Sequence, residues 1–291
     1  QISVTLKRKA SVPGPPAGVI AAKNGYRLKL IQPRPFTMGS SRREQGRRTN
    51  ETLRKINLQR PFYMGLQEVS NQEFKKFLAG HNSGSFKGQP LSQDNHPVVQ
   101  ITWQQAALFC NWLSAREALP PAYVQKGGRL VAAEPIGTGY RLPTEAEWEF
   151  CARFAGKPAG IKYPWGNQFP PVEPSGNYGD ASAKKLLAVV IENYNDGFPG
   201  SAPAAKFKAN SLGLFDMGGN VSELCHDFYT IYTYNTNKAD IDPSGPPEGK
   251  HHVVKGASWK YASMSKLRLA YRDYSDAKRP DLGFRVCRYV K

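Results

Sequence analysis

Asp216, Glu223 and Asp227 fall within one stretch from Asn210 to Tyr229, NSLGLFDMGGNVSELCHDFY, together with Gly213, Gly218, Gly219 and several bulky apolar side chains. The stretch is too rich in glycine for a helix and too irregular for a strand. With carboxylates on both sides of Gly218-Gly219-Asn220, backbone carbonyls can turn inward on a hard cation. Ca²⁺ takes about six to eight oxygens of carboxylate, amide and backbone origin. The same residues also suit a buried turn whose acids cap neighbouring amides, and residue types alone leave both readings open.

Softer ligands are scattered. Cys110, Cys151, Cys225 and Cys287 stand singly with no CxxC pair, which argues against a structural zinc site and a redox dithiol. They read as buried free thiols, with one or two disulfides as the alternative in an exported protein. The histidines, His81, His96, His226, His251 and His252, show neither i, i+4 nor HxE spacing. His226, between Cys225 and Asp227, is the first choice for a transition-metal ligand; the His251-His252 pair reads as solvated loop.

The formal net charge of +17 is unevenly placed. Residues 1–60 carry fourteen Lys and Arg against Glu44 and Glu51, residues 255–291 carry ten against three acids, and the middle of the chain is close to neutral. The densest knot is Arg42-Arg43 with Arg47-Arg48. Basic ends can meet an anionic surface, a partner or nucleic acid, or remain solvated, and no RNA- or DNA-binding signature accompanies them. No run of eighteen apolar residues exists, so no helical membrane span is expected. The start at Gln1, without Met or a signal-type apolar run, reads as a mature or trimmed form.

These residues need elements to position them, and 291 residues with 40% apolar content can build a packed core. Ile2, Val4 and Leu6 alternate as a strand, so residues 1–12 read as the remnant of a preceding region. Residues 13–25, opening with PGPPAG, read as a linker, and residues 26–291 as the domain. A strand is expected near Tyr26–Ile31 and a mobile surface loop over residues 41–55. Three capping boxes, Ser70/Glu73, Thr102/Gln105 and Thr144/Glu147, predict helices over 71–79, from the Thr102 cap to about Glu117, and over 145–155. Residues 118–140 read as loop. Beyond Gly156 regular patterns fade for about a hundred residues, a length that calls for bound ions and aromatic packing as the source of order. Short strand-like runs return at Val253-Val254, Leu267–Leu269 and Gly283–Cys287.

Nine landmarks in order then fit one family: FTMGS (36–40), FYMGLQEVSNQEF (62–74), HPVVQITWQQAALFCNWLS (96–114), YRLPTEAEWEFCAR (140–153), YPWGN (163–167), NDGFPGSAP (195–203), GLFDMGGNVSEL (213–224), KGASW (255–259) and GFRV (283–286). Over about residues 32–288 the chain resembles the formylglycine-generating enzyme family, the sulfatase-modifying-factor domain. The resemblance implies an α+β variant of the C-type lectin fold, low in regular structure and held by two calcium ions. It places one ion on Asn177, Tyr178, Asp196 and Phe198, and the other on Asp216, Gly219, Val221 and Glu223.

The family's oxidase chemistry uses two cysteines five apart after a GGSW-like turn, where they hold Cu(I), a soft ion suited to thiolate. In this chain the turn is Gly256-Ala257-Ser258-Trp259, the matching positions fall on Tyr261 and near Lys266, and no cysteine lies between Cys225 and Cys287. No copper is therefore expected. The family's WEW tripeptide is Ser222-Glu223-Leu224 here. Trp259, Tyr261, Arg268, Tyr271 and Arg272 fall where the family lines its substrate groove, unless Arg268 and Arg272 pair internally with acids such as Asp227 or Asp273. The leading expectation is a calcium-stabilised, non-catalytic domain that binds a protein or peptide partner, periplasmic or extracellular. The alternative is an oxidoreductase with another metal centre, similar to the pigment-maturation members of the family.

Overall fold

The computed structural model describes residues 18–154, 160–232 and 238–291; the strand expected at Ile2–Leu6 lies outside them. Strands β1 (Val19–Ala21) and β2 (Arg27–Ile31) form a hairpin, so the expected linker ends earlier than Gly25 and its last residues already belong to the domain. Next come β3 (Phe36–Met38), β4 (Arg54–Asn57) and β5 (Phe62–Gly65), then helix α1 (Asn71–Lys75) and the short hairpin β6 (Ser85–Phe86) and β7 (Gln89–Pro90). Helix α2 (Trp103–Arg116), hairpin β8 (Tyr123–Lys126) and β9 (Arg129–Ala132), and helix α3 (Glu145–Arg153) complete the first half. The second half contributes β10 (Ser222–Phe228), β11 (Asp240–Ile241), β12 (His252–Lys255), β13 (Arg272–Ser275), β14 (Leu282–Gly283) and β15 (Cys287–Tyr289). Short helices and many short strands make this an α+β fold.

All three capping boxes form, each Ser or Thr accepting from the N3 amide while the N3 Glu or Gln accepts from the cap amide. α1 is shorter than expected because its last turn tightens, with Lys76 N–H bonded to the Glu73 carbonyl and Phe77 N–H to that of Phe74. In α2 the buried positions Ala106, Phe109, Cys110 and Leu113 recur at helical spacing, and Phe109 packs on Phe74 and Phe284.

Two sheets carry the site. One has the strand order β1-β2-β5-β15 and the other β13-β12-β10-β14, and β3, β4 and β11 form a third. The first two join the end of the chain to its beginning and middle. β10 is a correction to the reading of Asn210–Tyr229 as irregular throughout. Its second half is a strand buried along nearly its whole length, antiparallel to β12 and parallel to β14. In residues 118–140 the Gly-rich turn at Gly127-Gly128 is present, but it joins two strands, β8 and β9, where loop was expected. Leu267–Leu269 is not a strand.

Every residue of α3 is buried, including Glu145, Glu147 and Glu149, so each carboxylate needs a cation beside it. Arg141 pairs with Glu147 at 2.6 Å, Arg153 and Lys255 with Glu149 at 2.6 and 2.8 Å, and Arg272 with Glu145 at 2.5 Å. Burial opposes ionisation of Glu149, yet Lys255 and Arg153 hold its carboxyl down at about 2. The Lys255 and Arg272 pairs lock α3 onto β12 and β13. Removing one partner of such a pair costs about 3–5 kcal/mol, because the other charge is left buried.

Candidate functional site

Between α3 and the C-terminal strands, the loops of the second half converge on Asn220. Its amide N–H bonds to the Asn177 carbonyl, and its side-chain oxygen accepts from Ala202 N–H at 2.9 Å and from Asn177 Nδ2 at 3.3 Å. Its own carbonyl accepts from Trp259 N–H. One buried asparagine thus ties residues 177, 202, 220 and 259 together. Asp216 and Asn220 both adopt left-handed backbone, at φ 56° and 61°, a region where Asp and Asn are the tolerated side chains. Between them Gly218 (φ 91°) is required, since a Cβ there would lie 2.5 Å from Leu269 Cδ2.

The first expected ion site assembles in part. Asn177 is fully buried; its Nδ2 donates to the Gly200 carbonyl at 2.8 Å, while its Oδ1 has no partner. Asp196 accepts from the amides of Tyr178 at 2.9 Å and Phe198 at 2.8 Å, which brings all four expected positions together. Burial nonetheless pushes the Asp196 carboxyl up to about 8, and the neighbouring acid Asp180 adds to this. Asp180, an acid with no distinguishing sequence signal, is itself fully buried and accepts from Asp196 N–H.

At the second expected site, Asp216 Oδ2 accepts from Ala205 N–H at 2.7 Å, and Oδ1 is buried without a partner. Beside it lies Glu68, fully buried, with neither carboxylate oxygen hydrogen-bonded. Burial and Asp216 raise Glu68 well above the usual carboxylate range, and burial raises Asp216 to about 6. Glu68 was passed over in the sequence, where it sits within FYMGLQEVSNQEF; an acid between the apolar Leu66 and Val69 was the available signal. Glu223 is differently engaged. Arg285 grips it at 2.6 and 2.7 Å and Trp148 Nε1 donates at 2.8 Å, so its charge is already balanced.

Buried oxygens on Asn177, Asp216 and Glu68 with nothing to accept from are hard acceptors suited to a hard cation. Among the described residues no group of three or more His, Cys, Asp or Glu side chains is placed to hold a metal ion. An ion here would therefore draw on amide and backbone oxygens as well as carboxylates.

The expected groove is corrected at four of its five positions. Trp259 is fully buried against Phe86, and Tyr271 is buried beneath Arg48. Arg268 is enclosed by Glu44, Glu51, Ser40 and the Gly46 carbonyl, and Arg272 by Glu145 and the carbonyls of Asn50 and Thr230. Both arginines pair internally, with partners other than Asp227 or Asp273. Only Tyr261 is partly exposed, its hydroxyl accepting from Arg279 at 2.8 Å and Lys266 standing 4.5 Å from its ring centroid. Burial raises the Tyr261 phenol above its ordinary range.

The arginine-rich segment is also corrected from a mobile loop to a pinned one. Arg268 holds Glu44 and Glu51, Ser265 Oγ donates to the Gly46 carbonyl at 2.6 Å, and Arg47 donates to the Ser40 carbonyl. The segment is thereby fixed to the C-terminal third of the chain, with Arg42, Arg43 and Arg48 exposed. His226 faces Tyr123, its Nδ1 at 3.1 Å from the hydroxyl, and burial lowers its imidazole to about 3. All four cysteines are free and buried, as the thiol reading expected.

Comparison with known proteins places this geometry. Residues 21–290 match the sulfatase-modifying factor enzyme 1-like domain. The chain is similar to the formylglycine-generating enzyme of Bos taurus, with 26% identity covering 94% of this chain and 75% of that protein. It is also similar to the chaperone protein LppX of Paenibacillus barcinonensis, with 30% identity covering 78% of this chain and 80% of that one. Among solved structures, Treponema denticola variable protein 1 superposes with a TM-score of 0.73 at 26% identity, covering 91% of this chain and 95% of that one. PvdO from Pseudomonas aeruginosa shares the fold, with a TM-score of 0.69 at 20% identity and coverage of 96% and 100%. With the match spanning all but the two ends, the chain belongs to the sulfatase-modifying factor enzyme 1-like domain family.

Proposed function

We propose that this domain is a calcium-stabilised, non-catalytic member of its family that serves as a binding or assembly module in a periplasmic or extracellular setting. The observation that carries the reading is the set of buried, unpartnered oxygens on Asn177, Asp216 and Glu68 beside acids that burial pushes toward protonation. A hard divalent ion supplies the missing positive charge and draws its oxygens from these loops. Asn177, Tyr178, Asp196 and Phe198 hold one ion; Asp216, Gly219 and Val221 hold the other, with Glu68 beside them and Glu223 as a shared member already bound to Arg285. The protein's part is to fix the loops around Asn220 so that the outer surface keeps one shape.

Non-catalysis is supported by the sequence, in which the family's copper-binding cysteine positions fall on Tyr261 and near Lys266. A phenol whose deprotonation burial opposes and an ammonium are poor Cu(I) ligands. A relative named as a chaperone and a structural neighbour named as a variable protein support use of this fold beyond oxidation. The exposed Arg42, Arg43 and Arg48 on a segment pinned in place support a partner protein or peptide with an acidic surface.

Incubation of the purified chain with a sulfatase-derived cysteine peptide, oxygen and Cu(I) tests the reading. No formylglycine is expected. Turnover overturns it and favours the metal-dependent oxidoreductase.

A further inference from the structure

A cleft of about 540 Å³ lies at the opposite end of the β10–β12 pair from Glu223, where Phe228 meets His252. It is bounded by the first turn of α2, the β8–β9 turn and the segment leading into β12. In the sequence His251-His252 looks like solvated loop, yet His252 is 7% exposed. Its ring is clamped between Trp103, at a centroid distance of 3.8 Å and nearly parallel, and Phe228 at 4.3 Å. Both ring faces are therefore covered.

The ring edge is asymmetric. Nδ1 lies 2.8 Å from Asp276 Oδ1, and the other Asp276 oxygen faces His251 Nδ1 at 3.1 Å. A carboxylate at Nδ1 keeps the proton on that nitrogen, and burial lowers the ring's basicity, so Nε2 carries a lone pair. That Nε2 is buried and has no hydrogen-bond partner. The cleft that this residue borders is on balance positive. Arg129 and Lys250 line it, Asp276 is engaged by the two histidines, and Thr102 caps Gln105 N–H, leaving the amides of Trp103 and Gln104 at the start of a fourteen-residue helix.

We propose that this cleft binds a small, flat organic acid that also carries a hydroxyl or N–H donor. The anionic group lies toward Lys250, Arg129 and the first turn of α2, and the donor bonds to His252 Nε2. This assignment is independent of calcium and of the arginine-rich segment.

Titration of the ¹⁵N-labelled full chain with 4-hydroxybenzoate, benzoate and phenol, followed by NMR, tests it. Saturable binding of 4-hydroxybenzoate with a change in the His252 Nε2 resonance is expected, about tenfold tighter than benzoate or phenol, since each lacks one of the two interactions. The exposed-side-chain variants Lys250→Ala and Arg129→Ala leave the fold intact and are expected to weaken it about three- to tenfold. Equal binding of the three probes, unchanged affinity in both variants, or no saturable shift at about 10 mM overturns the assignment.

Discussion

Arg268 and Glu51, 217 residues apart in sequence, form a fully buried ion pair that fastens the arginine-rich segment to the C-terminal third of the chain. Glu44 adds a second carboxylate to the same guanidinium at 2.8 Å, and Ser40 Oγ accepts from it at 3.1 Å. Arg268→Ala is expected to cost about 3–5 kcal/mol, because Glu51 is then left charged and unpaired inside the protein. The double variant Arg268→Met with Glu51→Gln is expected to recover a large part of that loss. Urea unfolding measures both, and faster amide exchange across residues 41–50 in the single variant reports release of the segment.

The buried acid Asp227 gives stability a pH dependence of known sign. Burial, then the neighbouring Glu145, raises its carboxyl from 3.8 to about 7. The folded state therefore binds a proton more tightly than the unfolded one. The resulting penalty is absent below about 3.8, grows as pH rises through this window and is complete above about 7. Asp227→Asn removes the charge and keeps an oxygen to accept the Glu145 N–H. Its stability relative to the parent chain is expected to improve between pH 5 and pH 8, checked by urea unfolding at both values. A constant difference would contradict this account of Asp227.

The cysteines are expected to be silent in the folded protein. Burial raises the thiols of Cys110, Cys151, Cys225 and Cys287 above their ordinary range, so little thiolate forms and none is accessible. A disulfide reagent at pH 8 should modify no thiol in the native chain and all four in denaturant. Prompt reaction of a native thiol would contradict their placement.

How much of this was legible in the sequence depended on how local the cause was. The three capping boxes are set by residues three apart, and all three helices start where the sequence puts them. β10 was not legible, because Ser222, Glu223, His226 and Asp227 look like loop residues until their remote partners are known. Glu223 is matched by Arg285 and Trp148, His226 by Tyr123, and Asp227 by the start of α3. Residues 41–55 looked mobile for the same reason, since their anchor is Arg268. At the candidate ion sites the sequence named Asn177, Asp196 and Asp216 but missed Glu68 and Asp180, whose significance lies in being buried next to another acid.

The same non-local cause predicts the effect of Glu68→Gln. An amide cannot replace the carboxylate's charge beside a divalent ion, but it removes one of two adjacent buried acids when no ion is present. The variant is expected to be more stable than the parent chain in chelator and to gain less from calcium, read as two melting curves for each protein.

Thermal unfolding in chelator and in millimolar calcium, with bound calcium counted in the native chain, bears most directly on whether oxygen-bound ions hold the second half of the fold. At about a hundredfold excess over its dissociation constant, one ion adds roughly 2.7 kcal/mol. For a domain of this size that corresponds to a rise of about 5 °C in Tm per ion, or about 10 °C for two. The account predicts such a rise with about two calcium ions per chain; an unchanged Tm and no bound calcium would contradict it.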